Sequence, residues 1–245
     1  MKIEGIKGGF VQYFDNTLIE KIVWLGNYVE IGTYTVLNNG GKLIEVDKYK
    51  FEGTCTIHFH GKPAKEFSSD IIDFCTVYNS QYGIPISNDG KKLFVGSWYK
   101  VKDGVRKGLR AYDTETGEMI WRLNENKIRN VFIYDDYLIV AQAETAVLKI
   151  DINNGALLKK MKSGTLEHLY YLDSQYVLAD TMSGKLCVID IGSMSIVKNY
   201  GTPHNLKIDD LILDAVVQDN KLIISGWGIY PEKAEWIIDS DFYNM

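Results

Sequence analysis

The chain has 245 residues, of which 46% are hydrophobic and 24% are charged, a balance that excludes a disordered or fibrous protein. Its net charge of −5 gives no electrostatic reason to bind nucleic acid, because phosphate neutralisation requires clustered Lys and Arg. Tyrosine is abundant, with 16 residues, and proline is scarce, with 4, so the composition favours strands.

Three widely spaced cysteines, with no Cys-x-x-Cys pair, predict buried free thiols in a reducing compartment rather than a disulfide framework. The residues after Met1 lack the apolar run of a signal peptide, and no apolar stretch approaches the length of a membrane span. We therefore expect a cytoplasmic protein that does not associate with a membrane. A mildly acidic chain would also suit a basic partner.

In chain order, the first predicted elements are a spare strand within residues 2–14 and an inner strand over residues 18–25. One unit then recurs: a strand, a polar turn, an apolar strand, a hairpin and a strand that ends in Asp. Asn, Asp and Gly suit such turns because they tolerate a positive φ and bond to their own backbone. The predicted turns lie at positions 26–27, 88–91, 135–136, 174–175 and 219–220.

A second set of markers follows the same order along the chain. An aspartate ends an apolar strand at Asp47, Asp113, Asp151, Asp190 and Asp239. Short strands in a unit of about 40 residues have the length and pattern of one propeller blade. The sequence thus predicts an all-β fold with one domain over residues 1–245, a β-propeller of about five four-stranded blades. The longer first interval leaves room for a sixth blade between residues 54 and 82, which is the structural alternative.

Residues 109–121, Leu-Arg-Ala-Tyr-Asp-Thr-Glu-Thr-Gly-Glu-Met-Ile-Trp, resemble the PQQ-like (quinoprotein-type) or WD40-like β-propeller repeat. In the PQQ-like family an Ala-x-Asp-x-x-Thr-Gly turn precedes a strand that carries Trp, and weaker copies begin at Ile150 and Ile189. The resemblance implies the fold and not the chemistry. Quinoprotein dehydrogenases are much longer and have adjacent cysteines and a calcium site, so no cofactor is expected here.

The two ends of the chain predict how the ring closes. Only six residues follow Asp239, so the last unit lacks an outermost strand, whereas residues 2–14 are spare at the other end. Unpaired strand edges template aggregation, and closure removes them. We therefore predict that the N-terminal strand completes the last blade.

The repeat alignment gathers polar residues at the start of the predicted inner strands. The aligned position holds Glu20, Ile84, Arg129, His168 and Leu213, and it predicts a polar channel mouth that grips a ligand or a partner's side chain. In the alternative interpretation Arg129 pairs with Glu20 and the group only hydrates the channel.

The hairpins at the same end of the blades are expected to carry the aromatic and cationic residues that dominate binding hot spots. With His204 in a neighbouring loop, the candidate binding residues are Tyr34, Trp98, Tyr99, Arg106, Trp227 and Tyr230. The alternative is that these rings pack back onto the blade edges.

No nucleophile elbow, phosphate loop or dinucleotide fingerprint occurs in the sequence. His58 and His60 share one face of a predicted strand, but the sequence supplies no evident third ligand, so no metal site is predicted. We favour a non-catalytic protein-interaction module, specifically an inhibitor or immunity-type protein that masks a basic toxin or enzyme. The alternative is a small propeller enzyme, or a carbohydrate or small-molecule binder, that acts at the channel mouth.

Overall fold

The computed structural model describes residues 2–14, 18–37, 43–68, 85–96, 108–125, 127–134, 136–181, 184–203, 206, 211–227 and 233–244. For residues 28–37, 43–51, 167, 211, 213 and 227 only the backbone is described. The regular structure within these ranges is all β, and it includes no helix long and apolar enough to cross a membrane.

Five antiparallel sheets form the five blades of a β-propeller, which confirms the predicted fold class. The first blade contains β1 (Lys2–Ile6), β2 (Gly9–Tyr13), β3 (Ile19–Leu37), β4 (Leu43–Phe59) and β5 (Lys65–Ser68). The second contains β6 (Lys92–Val95), β7 (Leu109–Asp113) and β8 (Met119–Leu123).

The third blade contains β9 (Ile128–Ile133), β10 (Tyr137–Gln142), β11 (Ala146–Asp151) and β12 (Leu157–Lys162). The fourth contains β13 (Leu166–Tyr171), β14 (Tyr176–Thr181), β15 (Leu186–Asp190) and β16 (Ser195–Gly201). The fifth contains β17 (Leu211–Gln218), β18 (Lys221–Trp227) and β19 (Lys233–Asp239). β13 contacts β9, β10 and β17 in the neighbouring blades, whereas β12 and β16 are mostly exposed, so the chain enters these blades at the inner strand and leaves at the outer one.

Both sets of predicted markers are confirmed in the second to fifth blades. β6, β10, β14 and β18 each begin directly after a predicted turn, and β7, β11, β15 and β19 each end at a predicted aspartate. The two markers are cross-strand partners in three blades, as the pairs Lys92↔Asp113, Tyr137↔Asp151 and Tyr176↔Asp190.

The repeated aspartate is explained by the turn that follows it. Asp113 Oδ1 accepts the backbone N–H groups of Glu115 and Thr116 at 2.8 and 2.7 Å. Gly117, four residues after the aspartate, has φ +77°, and Met194 holds the corresponding place in the fourth blade at φ +52°. The signature Asp-x-x-x-Gly is therefore an Asx turn that ends in a left-handed residue.

The first blade departs from the predicted repeat. Positions 26–27, predicted as a turn, lie inside β3, and Asp47, predicted as a strand end, lies inside β4. The pair that matches Tyr137↔Asp151 is Ile19↔Phe59, so residues 18–25 belong to the second strand of the blade and not to its inner strand. The false markers arise because β3 and β4 continue far beyond the length of an ordinary blade strand.

The predicted closure of the last blade by the N-terminal strand is wrong. β1 pairs with β2, and β2 pairs with β3, so the N-terminal hairpin belongs to the first blade. A tight turn at residues 7–8, with Gly8 at φ +77°, lets β1 and β2 pair locally, which costs less chain entropy than pairing across the ring.

The last residues of the chain pack against turns rather than forming a further strand. Phe242 is fully buried, and its N–H donates to the Asn220 carbonyl at 2.7 Å. Tyr243 Oη donates to Asp173 Oδ2 of the preceding blade at 3.0 Å. The C-terminal segment thus joins the fourth and fifth blades.

The apolar core lies between successive blades. Between the second and third blades it includes Phe94, Trp121, Ile128, Leu138 and Leu148. Each of the first four outer strands also hydrogen-bonds the turn of the next blade. In chain order these bonds join Lys65 Nζ to the Glu115 carbonyl (2.6 Å), Trp121 Nε1 to the Ile152 carbonyl (3.2 Å), Lys159 Nζ to the Ser193 carbonyl, and Tyr200 Oη to Asp239 Oδ2 (2.8 Å).

Candidate binding face at the channel mouth

One end of the blades collects the connections between second and third strands together with the starts of the inner strands. Because neighbouring strands run antiparallel, these connections lie at the same end of every blade. We call this end the mouth face. In and beside the third and fourth blades its described polar side chains include Glu125, Lys127, Arg129, Gln142, Glu144, Lys160, His168 and Asp180.

Two inner strands hold a chain of hydrogen bonds. Arg129 in β9 bonds through a terminal guanidinium nitrogen to His168 Nε2 in β13. His168 Nδ1 lies 3.3 Å from Asp180 Oδ2 in β14, and the backbone N–H of His168 donates to Asp180 Oδ1 at 2.6 Å. Tyr170 Oη also donates to Asp180 Oδ2, at 2.9 Å. Asp180 thus accepts three donors and fixes the His168 ring.

The same contacts assign the roles of the His168 nitrogens. A guanidinium can only donate, so Nε2 accepts from Arg129 and Nδ1 carries the proton that faces Asp180. The imidazole therefore lies between the half-buried Asp180 carboxylate and the Arg129 guanidinium at the mouth and holds the two in a fixed orientation.

A second group of contacts, around Lys127 and Glu144, lies at the mouth face of the third blade. Lys127 forms an ion pair with Glu144, and both residues have left-handed backbones, at φ +61° and +62°. The N–H of Glu144 donates to the Leu166 carbonyl in the fourth blade at 2.7 Å, and the N–H of Ala143 donates to the Lys127 carbonyl at 2.9 Å. Non-glycine residues with this conformation cost free energy, and they concentrate at sites of recognition.

Glu125 extends this group outward. Its carboxylate accepts Gln142 Nε2 at 2.6 Å and Lys160 Nζ at 3.2 Å. The mouth of the third and fourth blades is consequently a rigid, mixed-charge surface rather than a field of one sign.

The structure separates the predicted site residues. Arg129 and His168 contact each other at the mouth. Glu20 does not begin an inner strand: it is exposed at the start of β3, at the opposite end of its blade, and pairs with Lys21 at 3.3 Å. The prediction that Arg129 could pair with Glu20 is therefore wrong, because the two residues lie at opposite ends of their blades.

The aromatic candidates are only partly placed. The backbone of Trp227 lies at the end of β18, beside the mouth face, whereas that of Tyr34 lies near the far end of β3, where β3 pairs only with β4. The other candidates lie outside the described residues, namely Trp98, Tyr99, Arg106, His204 and Tyr230.

Sequence reasoning missed the partners that organise the site. Asp180 stands at the aligned position that Gly96, Ala141 and Ser225 hold in other blades, and it is the charged member of that set. That difference was the available signal. Lys127 and Glu144 gave no signal, because their left-handed backbones cannot be inferred from Lys and Glu.

The described thiols do not supply a reactive group. Burial raises the pKa of Cys187 to about 11, helped by the nearby Asp180 charge, and burial alone raises the pKa of Cys55 further. Both thiols are protonated at neutral pH. In the part of the chain that the structure describes, no group of three His, Cys, Asp or Glu side chains could hold a metal ion.

No protein-family model and no curated protein sequence matches the chain. Among solved structures, BamB from Moraxella catarrhalis matches with 17% identity and a TM-score of 0.51, over 86% of this chain. The chain spans 62% of BamB, which is less than two thirds of it.

Two computationally designed proteins also match. Ika8 has 15% identity and a TM-score of 0.48, over 97% of this chain and 74% of Ika8. Ika4 has 13% identity and a TM-score of 0.43, over 60% of this chain and 85% of Ika4. At this identity the likeness to BamB shows the fold alone, which is the all-β propeller described above.

Proposed function

We propose that the chain is a non-catalytic binding protein that holds another protein on its mouth face. The observation that carries this proposal is the hydrogen-bonded chain Arg129–His168–Asp180–Tyr170 across two inner strands. It fixes a guanidinium at the mouth, and Arg is among the residues that anchor protein interfaces. Fixing the side chain in advance lowers the entropy cost of binding.

The same geometry argues against an enzyme. A His–Asp pair serves as a general base only when the outer ring nitrogen can reach a substrate proton. Here His168 Nε2 is already bonded to Arg129, which cannot give up a proton. The pair therefore orients Arg129 instead of activating a nucleophile.

The surface chemistry supports a protein partner over a small ligand. The side chains of Lys127 and Glu144 are 37% and 50% exposed and stand beside each other, a mixed-charge pattern that selects one partner orientation. The sequence predicts the aromatic candidates Trp98 and Trp227 for the same face, and the backbone of Trp227 ends β18 beside it. They would supply the apolar anchors that interfaces use at their centres.

The more specific form of the proposal is an inhibitor or immunity-type protein that acts in the cytoplasm and masks a basic toxin or enzyme. The net charge of −5 supports this form, because opposite net charges speed the encounter of two proteins. The alternative function is a carbohydrate or small-molecule binder at the channel mouth.

The test uses a charge exchange that preserves the ion pair. In the double variant Lys127→Glu with Glu144→Lys, the pair is retained while the exposed charges change places. Tagged full-length chain is used to capture proteins from the source cell, and mass spectrometry measures the stoichiometry of what is recovered. The matched control is Lys221→Glu, an exposed lysine at the opposite end of the fifth blade.

We expect one protein to be recovered at equal stoichiometry with the wild type and with Lys221→Glu, and to be lost with the charge exchange. Recovery that is equal for all three chains would place the interface elsewhere. If no protein is recovered, and a sugar or metabolite instead raises the melting temperature, the small-ligand alternative is correct.

A further inference from the structure

β3 and β4 continue well beyond the first blade. β2 pairs with β3 only as far as Gly9↔Leu25, and β5 pairs with β4 only from Thr54↔Ser68 onward. Beyond these points residues 27–37 and 43–52 pair with each other, from Asn27↔Glu52 to Leu37↔Leu43. We call this two-stranded segment the ribbon. Its strand pairs among the described residues are all internal.

Glycines mark the boundary between the blade and the ribbon. Gly26 faces Gly53 across the β3–β4 ladder. A Cβ atom on Gly26 would lie 2.2 Å from the Glu52 carbonyl oxygen, and one on Gly53 would lie 2.0 Å from the Leu25 carbonyl oxygen. The two strands therefore approach too closely for any side chain at this level, so the glycines are required where the ribbon leaves the blade.

The ribbon is long and leaves from the mouth-face end. About eleven residues at roughly 3.3 Å each extend it by about 35 Å. A two-stranded hairpin is marginally stable in water on its own, and three or more strands are normally required. A ribbon of this length is therefore expected to gain strands from another chain.

The two edges of the ribbon differ in how well they are protected against pairing with another chain. The β3 segment, residues 27–37, contains a single charged residue, Glu30, and no proline. The β4 segment, residues 43–52, contains five charged residues, Glu45, Asp47, Lys48, Lys50 and Glu52. Charged residues and proline are the usual protection of an edge strand against pairing with another chain. The β4 edge has this protection and the β3 edge lacks it. A bulge at Ile31, between the pairs Glu30↔Tyr49 and Gly32↔Lys48, interrupts β3, so the regular unprotected part of its edge is residues 32–37.

We propose that the β3 edge of the ribbon pairs with the β3 edge of a second copy of this chain, forming a four-stranded antiparallel sheet. Identical edges related by a two-fold axis pair in the antiparallel direction and close the assembly at two copies. With one charge in the segment, most registers place no like charges opposite each other. A strongly charged partner would find no complementary charge there.

The experiment measures the mass of the full-length chain in solution by sedimentation equilibrium over a range of concentrations. We expect a reversible dimer. The double variant Thr33→Lys with Thr35→Lys puts two lysines on the β3 edge of each copy, and we expect its dissociation constant to rise on the order of 100-fold.

The matched control is Glu45→Lys with Asp47→Lys, which puts two lysines at the cross-strand partners of Thr35 and Thr33 on the other edge. This control is expected to remain dimeric. A third variant replaces residues 27–52 by Asn-Gly. It is expected to be monomeric and to melt as one cooperative unit, which shows that the blades still fold.

Three results would overturn the proposal: a wild-type chain that is monomeric at every concentration, a dimer that survives removal of the ribbon, or dissociation by the β4 control but not by the β3 lysines. The charge exchange at Lys127 and Glu144 is expected to leave the dimer intact. The proposal that the ribbon forms a dimer and the proposal that the mouth face binds a partner are therefore tested independently.

Discussion

The indole of Trp121 lies against the backbone of Gly155 in the next blade, so that a Cβ atom on Gly155 would be 2.5 Å from Trp121 Cε3. The same indole donates from Nε1 to the Ile152 carbonyl at 3.2 Å. The last residue of the sequence motif that resembles the PQQ-like repeat is thus a direct link between the second and third blades.

Gly155→Ala is expected to destabilise the protein by about 2–4 kcal/mol. Gly155 has φ +73°, where an alanine costs about 1–2 kcal/mol, and the new methyl group also collides with Trp121. The matched control is Gly164→Ala, where φ is +68° and nothing lies within 4 Å of the added Cβ. Chemical denaturation of both variants measures the two costs, and equal destabilisation would contradict the contact with Trp121.

Gly96→Val is expected to destabilise the protein by about 1–3 kcal/mol, because a Cβ on this buried residue would lie 2.3 Å from Ile128 Cγ2. Ile128→Ala removes the colliding atoms. Thermal melting of the two single variants and the double variant should therefore show a positive coupling, with valine tolerated better beside alanine. Additive effects would indicate that Gly96 is needed for another reason.

Asp190→Asn is expected to lower stability at pH 7 and to have little effect near pH 2. The Ser193 N–H and the Gln175 side chain hold the pKa of Asp190 below its usual range. A carboxyl with a lowered folded-state pKa stabilises the fold above its unfolded pKa of about 3.9, and this is lost as the pH falls through the folded value.

Urea denaturation at several pH values measures this difference. The expected loss at pH 7 is on the order of 0.5 kcal/mol, since solvent screens the partly exposed carboxylate. Asp136→Asn, at an exposed turn residue of the preceding blade, is the control and should change stability by less than about 0.5 kcal/mol. A deficit that persists unchanged at pH 2 would contradict the role of the charge.

The His168 ring is expected to carry a proton on Nδ1 and none on Nε2, because Nε2 accepts from Arg129. Nitrogen-15 chemical shifts of the labelled ring distinguish this tautomer from the more common Nε2–H form. In Arg129→Met the constraint on Nε2 is removed, and the two forms should mix. An Nε2–H ring in the wild type would disprove the proposed orientation of the chain of hydrogen bonds.

The double variant Trp98→Ala with Trp227→Ala is expected to weaken partner binding by about 2 kcal/mol, because aromatic anchors dominate interface energies. The variant is expected to remain folded. Titration calorimetry with the captured partner measures the affinity, and circular dichroism checks the fold. Unchanged affinity would remove the aromatic residues from the binding face.

The sequence was informative wherever turn chemistry and strand pairing agree. Asp113, Asp151, Asp190 and Asp239 were correctly predicted as strand ends, because an Asx turn needs an Asp or Asn side chain at that point. The first blade was misassigned because Phe59 stands where the other blades have the aspartate. Gly26, at the start of the ribbon, has the pattern of a turn residue, and the segment before Asp47 has the pattern of a strand end.

The closure of the ring and half of the mouth could not be predicted for a different reason. Whether the N-terminal strand pairs locally or across the ring depends on competing loop entropies, which Gly8 decides in favour of a local hairpin. The repeat alignment brought Arg129 and His168 together, and the charge of Asp180 in its aligned set was a signal that could have added it. Glu144 contacts the fourth blade through its backbone N–H, which the residue type alone does not encode.

The bonds from each outer strand to the following turn give the propeller a direction. Lys65, Trp121, Lys159 and Tyr200 each reach forward along the chain. During synthesis a completed blade would offer a ready donor to the turn that emerges next, so assembly would proceed from the N-terminus without waiting for the whole ring. Truncation from the C-terminus should accordingly be tolerated better than truncation from the N-terminus. It removes blades whose turns accept these hydrogen bonds and keeps the blades whose outer strands donate them.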